Sequence, residues 1–180
     1  MSVVAVRVYK DKIIIGADSF VGFSRDTQLK DKDVKLFKQN GMIIGGVGYA
    51  RDVSLLKLFS RDRKPARSDE DSIIDFITEF IEWAKKRIKD YELETEFTII
   101  YNNKAWFLSP GLYLKRIKDY RAMGAGQDIA QAILFLGKGV KDAIDIACEL
   151  SIYCEKPINM ITVNKSSLPK PNNGEIVNKP

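Results

Sequence analysis

Two short β-branched runs open the chain. Residues 2–9 read Ser-Val-Val-Ala-Val-Arg-Val-Tyr and residues 12–17 read Lys-Ile-Ile-Ile-Gly-Ala, each too short for a helix. The polar pair Lys10-Asp11 between them suits a tight hairpin connection. Residues 19–33 are polar with few periodic apolar positions and read as a connection. Residues 34–38 and 42–46 form a second hairpin pattern, broken at the strong turn dipeptide Asn40-Gly41. The first 48 residues therefore predict four strands. Ile13–Ile15 and Met42–Ile44 are apolar at successive positions, so these strands are expected to be covered on both faces.

The period then changes. Val53, Leu56 and Phe59 recur at helical spacing over 50–60. Ser68 or Asp69 caps a longer helix over 69–91, striped by Ile73, Ile77, Phe80, Ile81, Ala84 and Ile88. Strand character returns at 97–101 and 105–108 around Asn102-Asn103, then at 112–117 and 120–123. Two further helices follow. The first, 127–136, carries Ile129, Ala132, Ile133 and Leu136 on one face. The second, 140–153, carries Ala143, Ile144, Ala147 and Leu150, and Gly137 and Gly139 separate the two. Residues 157–163 are a last strand, and 166–180 a Pro/Asn/Lys-rich tail after a domain spanning 1–165. Paired helices set between groups of antiparallel strands predict an α+β protein, two sheets stacked between two helical layers.

Composition narrows the chemistry. There is no histidine among 180 residues, which excludes the Ser-His-Asp triad, Cys-His dyads and histidine-ligated zinc. Two cysteines, Cys148 and Cys154, supply no disulfide framework and suit a reducing cytoplasm. No apolar stretch reaches the length of a membrane span and no secretory signal pattern opens the chain. The net charge is +5, diffuse rather than striped; the basic group Arg61, Arg63, Lys64 and Arg67 is followed by acids and reads as a solvated loop. No nucleic-acid partner is expected. The glycine clusters at 45–48 and 124–126 complete neither a dinucleotide fingerprint nor a Walker motif.

A few residues remain that could carry chemistry. Asp18 follows the strand at 12–17, and Lys35 lies among β-formers, where a buried ammonium would demand a carboxylate such as Asp18. Gly46, at a strand-to-helix turn, could offer its N–H to an oxyanion. Ser2 is small enough to allow removal of Met1, exposing an α-amine beside a hydroxyl. An α-amine of ordinary pKa about 7.7–8.0 is the remaining base near neutral pH, and a terminal amine can activate its own hydroxyl.

In their order and spacing these segments resemble proteasome β-subunits and HslV, the peptidase of a bacterial ATP-dependent protease. The likeness runs from Ser2 to Asp18, through 34–37 (Val-Lys-Leu-Phe), 43–48 (Ile-Ile-Gly-Gly-Val-Gly) and 123–126 (Met-Gly-Ala-Gly). It continues over 143–160, where 146–154 (Ile-Ala-Cys-Glu-Leu-Ser-Ile-Tyr-Cys) is similar to the last helix of HslV. The resemblance implies the αββα sandwich of N-terminal-nucleophile hydrolases. It implies peptide-bond hydrolysis of unfolded polypeptides inside stacked homo-oligomeric rings, with an ATP-dependent unfoldase as partner. Ser2 falls on the family's nucleophile, Asp18 on its acidic residue, Lys35 on its lysine and Gly46 on its oxyanion-hole glycine. No cofactor is required, although a sodium ion on backbone carbonyls is implied at Cys148, Ser151 and Cys154. The loop aromatics Phe20, Phe23 and Tyr49 are the expected contacts between subunits. Three features depart from the pattern. Serine replaces threonine, Ala125 stands where proteasome subunits have a supporting serine, and Met1 directly precedes the nucleophile. They keep a second function open, a ring-forming scaffold or interaction subunit without turnover.

Overall fold

The structure, a computed structural model, describes residues 2–22, 28–30 and 35–165. β1 (Val4–Val8) and β2 (Lys12–Ala17) form the expected antiparallel hairpin, with Val8 opposite Ile13. The period-two pleat sends Val4, Val6, Ile13 and Ile15 to one side and Val3, Ala5 and Ile14 to the other. Both sides are covered by protein, so both are apolar.

The polar segment after β2 holds two short strands that the pattern does not reveal, β3 (Phe20–Gly22) and β4 (Gln28–Lys30), paired as a separate ribbon. β5 (Leu36–Gln39) and β6 (Met42–Val47) then turn at Asn40 and Gly41, with φ of 49° and 80°. Two consecutive left-handed residues make the turn whose twist matches the flanking strands. Asn102 and Asn103, at 44° and 63°, do the same between β7 (Glu96–Tyr101) and β8 (Lys104–Leu108).

β5 to β8 and β9 (Leu114–Ile117) form a five-stranded antiparallel sheet in sequence order. The second sheet runs β10–β1–β2–β11, with β10 (Tyr120–Met123) and β11 (Asn159–Asn164) at its edges. The sheets stack through Val4, Val6, Ile13, Ile15, Leu36, Ile43, Ile100 and Phe107. On the outer face of the five-stranded sheet lie α1 (Ala50–Phe59) and α2 (Glu70–Lys85), over Met42, Ile44, Phe97 and Ile99. On the other lie α3 (Gln127–Phe135) and α4 (Val140–Leu150), over Val3, Ala5 and Ala122. This is the αββα sandwich. Among the described residues no helix is long and apolar enough to cross a membrane.

Some element ends differ from expectation. α2 stops at Lys85, where the Arg87 and Ile88 N–H groups both turn back to the Ala84 carbonyl and Asp90 takes φ of 56°. Ile88 still packs on the core from that turn, which is why the apolar stripe outruns the helix. α4 ends at Leu150 because Ser151 is extended. Leu136 and Leu150, expected on core faces, are 68% and 70% exposed; Ala130 and Leu134 form the buried face of α3. Phe20, expected at the surface, is buried, whereas Tyr49 is exposed. Phe23 and the tail 166–180 lie outside the described residues.

The two helical layers are held differently. Beneath α1 and α2, Phe59 lies 5.3 Å from Phe76, 5.6 Å from Phe80 and 5.5 Å from Trp83, ring centre to ring centre. Beneath α3 and α4 small alanines, Ala5, Ala122, Ala130, Ala143 and Ala147, interleave with Leu134, Val140 and Ile144, and a buried Arg7 from β1 donates to the Leu134 carbonyl at 2.6 Å and to the Lys138 carbonyl. A guanidinium at the carbonyl end of α3 complements that helix's dipole. Replacing Phe59 with alanine removes the ring shared by three aromatic contacts, and a loss of about 3–5 kcal/mol in unfolding free energy is expected from chemical denaturation. A loss below about 1 kcal/mol would contradict this packing.

Candidate active site

Residue 2 enters the fold just before β1, and residue 18 leaves it just after β2. Their strands pair with Val4 opposite Ala17, so the next residues outward, Val3 and Asp18, also meet. The Asp18 N–H donates to the Val3 carbonyl at 3.2 Å, and the Val3 N–H donates to Asp18 Oδ1 at 2.8 Å. On the other side β11 places Asn159 opposite Ala17, which brings the turn before it against Asp18. The Glu155 N–H donates to Asp18 Oδ2 at 3.1 Å, as does the Phe20 N–H at 3.1 Å.

Lys35 comes from the other sheet, one residue before β5. Its Nζ reaches across the sandwich to Asp18 Oδ1 at 2.6 Å, both side chains buried. One carboxylate oxygen thus holds the Lys35 ammonium and the Val3 amide next to Ser2 together. Burial pushes the Lys35 pKa below its usual value, and the Asp18 charge and hydrogen bond oppose that fall. Ser2 is itself buried, at 5% exposure, and its carbonyl accepts the Gly126 N–H at 3.2 Å. Ser2, Asp18 and Lys35 are therefore brought to one end of the sandwich, and Gly46 joins them there beside Lys35.

Gly46 requires a correction. Its N–H is not left free for an oxyanion, since it donates to the Lys35 carbonyl at 2.8 Å and extends the β5–β6 ladder by one rung. The glycine is needed here for space. A Cβ at Gly46 would lie 2.7 Å from Val53 Cγ2 and 2.9 Å from Phe97 Cε1. Gly124 shows a second close approach, at φ of 95°, where an added Cβ would lie only 2.5 Å from the Ser2 carbonyl oxygen. The 124–126 cluster is thus the backbone cradle of residue 2.

Cys148, Ser151 and Cys154 collect at the end of α4, lining a cavity of about 330 Å³ with Phe20 and Glu155. The Ser151 carbonyl accepts the Cys154 N–H at 3.2 Å. Burial raises the Cys148 thiol to about 12 and also raises Cys154, so neither is a thiolate nucleophile at neutral pH. Sequence reading missed a second buried carboxylate. Asp52, in the first turn of α1, accepts the Glu94 N–H at 2.9 Å, the Thr95 hydroxyl at 3.0 Å and Arg51 Nε at 3.1 Å. Thr95 Oγ1 in turn accepts the Tyr49 N–H at 3.0 Å, fixing the turn that follows β6. The only sequence signal for it is an acid in a helix's first turn, which is commonplace.

The Asp18–Lys35 pair makes a stability prediction with a definite sign. Asp18→Asn keeps the shape but leaves the Lys35 charge without its partner, at a cost of about 3–5 kcal/mol near neutral pH. Lys35 already has a lowered pKa in the fold, and loss of Asp18 lowers it further. Raising the pH deprotonates the variant's lysine first and then that of the parent, after which no ion pair is left to lose. The difference between the two proteins in denaturant unfolding is therefore expected to shrink as pH rises toward 10.5, the ordinary lysine value. A deficit that is constant or growing with pH would reject this.

No protein-family model and no curated protein sequence matches the chain. Solved structures do. The BPH protein of Thiobacillus denitrificans, in a complex with epoxomicin, superposes with a TM-score of 0.81 at 14% identity, covering 92% of this chain and 100% of that one. HslV from Trypanosoma brucei gives 0.63 at 16% identity, covering 90% and 99%. Anbu, an ancestral beta-subunit from Yersinia bercovieri, gives 0.71 at 10% identity, covering 90% and 81%. The chain has the fold of these proteins, the αββα sandwich of the proteasome-like and HslV-like group that the resemblance in its sequence implied.

Proposed function

We propose that this protein is an N-terminal-nucleophile peptidase, with Ser2 exposed by removal of Met1. One observation carries the reading: Asp18 Oδ1 holds both Lys35 Nζ, at 2.6 Å, and the amide of the residue after Ser2, at 2.8 Å. In the proposed reaction the Ser2 hydroxyl oxygen attacks a peptide carbonyl carbon, and its proton passes to the Ser2 α-amine. The tetrahedral intermediate collapses with cleavage of the C–N bond, and the amine returns the proton to the leaving nitrogen. Water then hydrolyses the acyl ester by the same route. The Lys35 charge favours the deprotonated hydroxyl, and Asp18 keeps that ammonium charged and in place.

The substrates are unfolded polypeptides admitted to a chamber of stacked rings in the cytoplasm, supplied by an ATP-dependent unfoldase. The exposed Phe135, Leu136 and Ile152 add to Tyr49 as contacts between subunits. A sodium ion fits the chemical class of the carbonyls of Cys148, Ser151 and Cys154, at the negative end of α4. Bound there it would brace the turn that delivers the Glu155 N–H to Asp18. A ring subunit without turnover is the second reading, favoured by the occupied Gly46 N–H and by Ala125.

Intact mass and peptide hydrolysis separate the two. The expected mass lacks Met1, and Ser2→Ala abolishes cleavage while Lys35→Ala lowers kcat by about 10²–10³. Activity of the parent falls on the alkaline side as Lys35 deprotonates, at a pH below 10.5 because burial has lowered its pKa. Asp18→Asn moves that limb to lower pH. Retention of Met1 in every molecule, or cleavage that survives Ser2→Ala, would overturn the peptidase reading.

A further inference from the structure

Two basic groups close in sequence, Arg61–Arg67 and Lys115–Arg121, behave differently in space. Of the group at 61–67, Arg63 pairs with Glu79 at 2.9 Å and Arg67 with Asp69 at 2.6 Å. At the end of the sandwich away from Ser2, where the chain crosses from β9 to β10, the arrangement is different. A cavity of about 370 Å³ is lined by Lys10, Lys104, Arg116, Lys118 and Lys165, with no acidic residue in its wall. Through Arg116, Ile117 and Lys118 it adjoins a second cavity of about 480 Å³, which adds Lys115 and Arg121. The one acid there, Asp119, lies 4.0 Å from Arg7.

None of those seven cations has a carboxylate partner among the described residues. Lys104 and Lys165 donate to the backbone carbonyls of Ser68 and Tyr9, which fixes their heads without neutralising them. Arg121 stacks its guanidinium 3.5 Å above the Phe107 ring, and its Nε is buried without a hydrogen-bond partner among the described residues. Concentrating like charge in a concave wall costs self-repulsion that a bound anion would relieve, and the orphaned Nε supplies a donor aimed at nothing in the protein. β1 is five residues long, which at about 3.3 Å per residue sets this end roughly 17 Å from Ser2.

We infer that these two adjoining cavities form a binding site for an oligophosphate, a small anion carrying several phosphoryl groups. Lysine heads act as point charges on phosphate, and Arg116 and Arg121 add directional N–H donors. The volumes are those of small-ligand sites. A duplex nucleic acid would need an elongated basic stripe, whereas these residues line a concavity between two strand ends.

Calorimetric titration of the full chain with inorganic tripolyphosphate, at about 50 mM salt, tests the site. Saturable binding is expected that weakens with added salt. The double variant Arg116→Glu, Lys118→Glu alters exposed side chains only and should bind more than tenfold more weakly. Arg63→Glu, Lys64→Glu, in the group at 61–67, should bind within twofold of the parent. Ser2→Ala should bind as the parent does, so the site stands or falls apart from the peptidase reading. ATP binding no tighter than tripolyphosphate supports recognition of the phosphoryl chain. Absence of saturable binding, equal weakening in both double variants, binding of ATP alone, or duplex DNA binding that tripolyphosphate cannot displace would each overturn the proposal.

Discussion

Asp18 sits at zero side-chain exposure, and a carboxylate so placed must have its water replaced in full by protein donors. Four groups supply them: the N–H of Val3, the N–H of Phe20, the N–H of Glu155 and the Lys35 ammonium. Each comes from a different part of the chain. Val3 leads into β1, Phe20 opens the β3–β4 ribbon, Glu155 precedes β11, and Lys35 opens the other sheet. Satisfying one charge therefore fixes where the first strand begins, where the last strand joins and how the two sheets align at this end. The same demand that holds the sandwich together sets a cation on the carboxylate oxygen that also holds the amide following residue 2. Structure and proposed chemistry are one constraint seen from two sides.

Space is the second constraint. Around residue 2 the backbone is approached so closely that side chains are excluded. Gly124 faces the Ser2 carbonyl, and Gly126 leaves room for Cys154, whose Sγ would lie 2.6 Å from an added Cβ. Gly46 fills the same need between Val53 and Phe97. Its N–H is spent on the Lys35 carbonyl, so its contribution is to seat Lys35 on β6. A glycine can match an oxyanion position in sequence and still be present for packing, because the sequence reports the missing side chain but not the partner of the amide.

The unbroken apolar runs Ile13–Ile15 and Met42–Ile44 made doubly covered sheets readable, and the helix pairs between strand groups made the four layers readable. Asn40-Gly41 and Asn102-Asn103 marked true two-residue turns because both residues of each take left-handed φ. Lys35 and Asp18 were legible as a pair because a lysine among β-formers needs a counter-charge if it is buried. Other features were silent. β3 and β4 carry too little apolar pattern to register. Leu136, Leu150 and Ile88 misled in opposite directions, two apolar residues left exposed and one packed from beyond its helix. Asp52, and the arrival of Lys10, Lys104 and Lys165 beside the cations of the β9–β10 crossing, depend on contacts between distant segments, which no local spacing encodes.

The account rests on residue 2 being a reactive terminus next to the Lys35–Asp18 pair. Treatment of the full-length protein with a β-lactone, followed by peptide mapping of the adduct by mass spectrometry, tests that most directly. The predicted result is a single acyl ester on the hydroxyl of Ser2, on a peptide that begins at Ser2. No adduct, an adduct on another residue, or Met1 retained on the labelled peptide would contradict it.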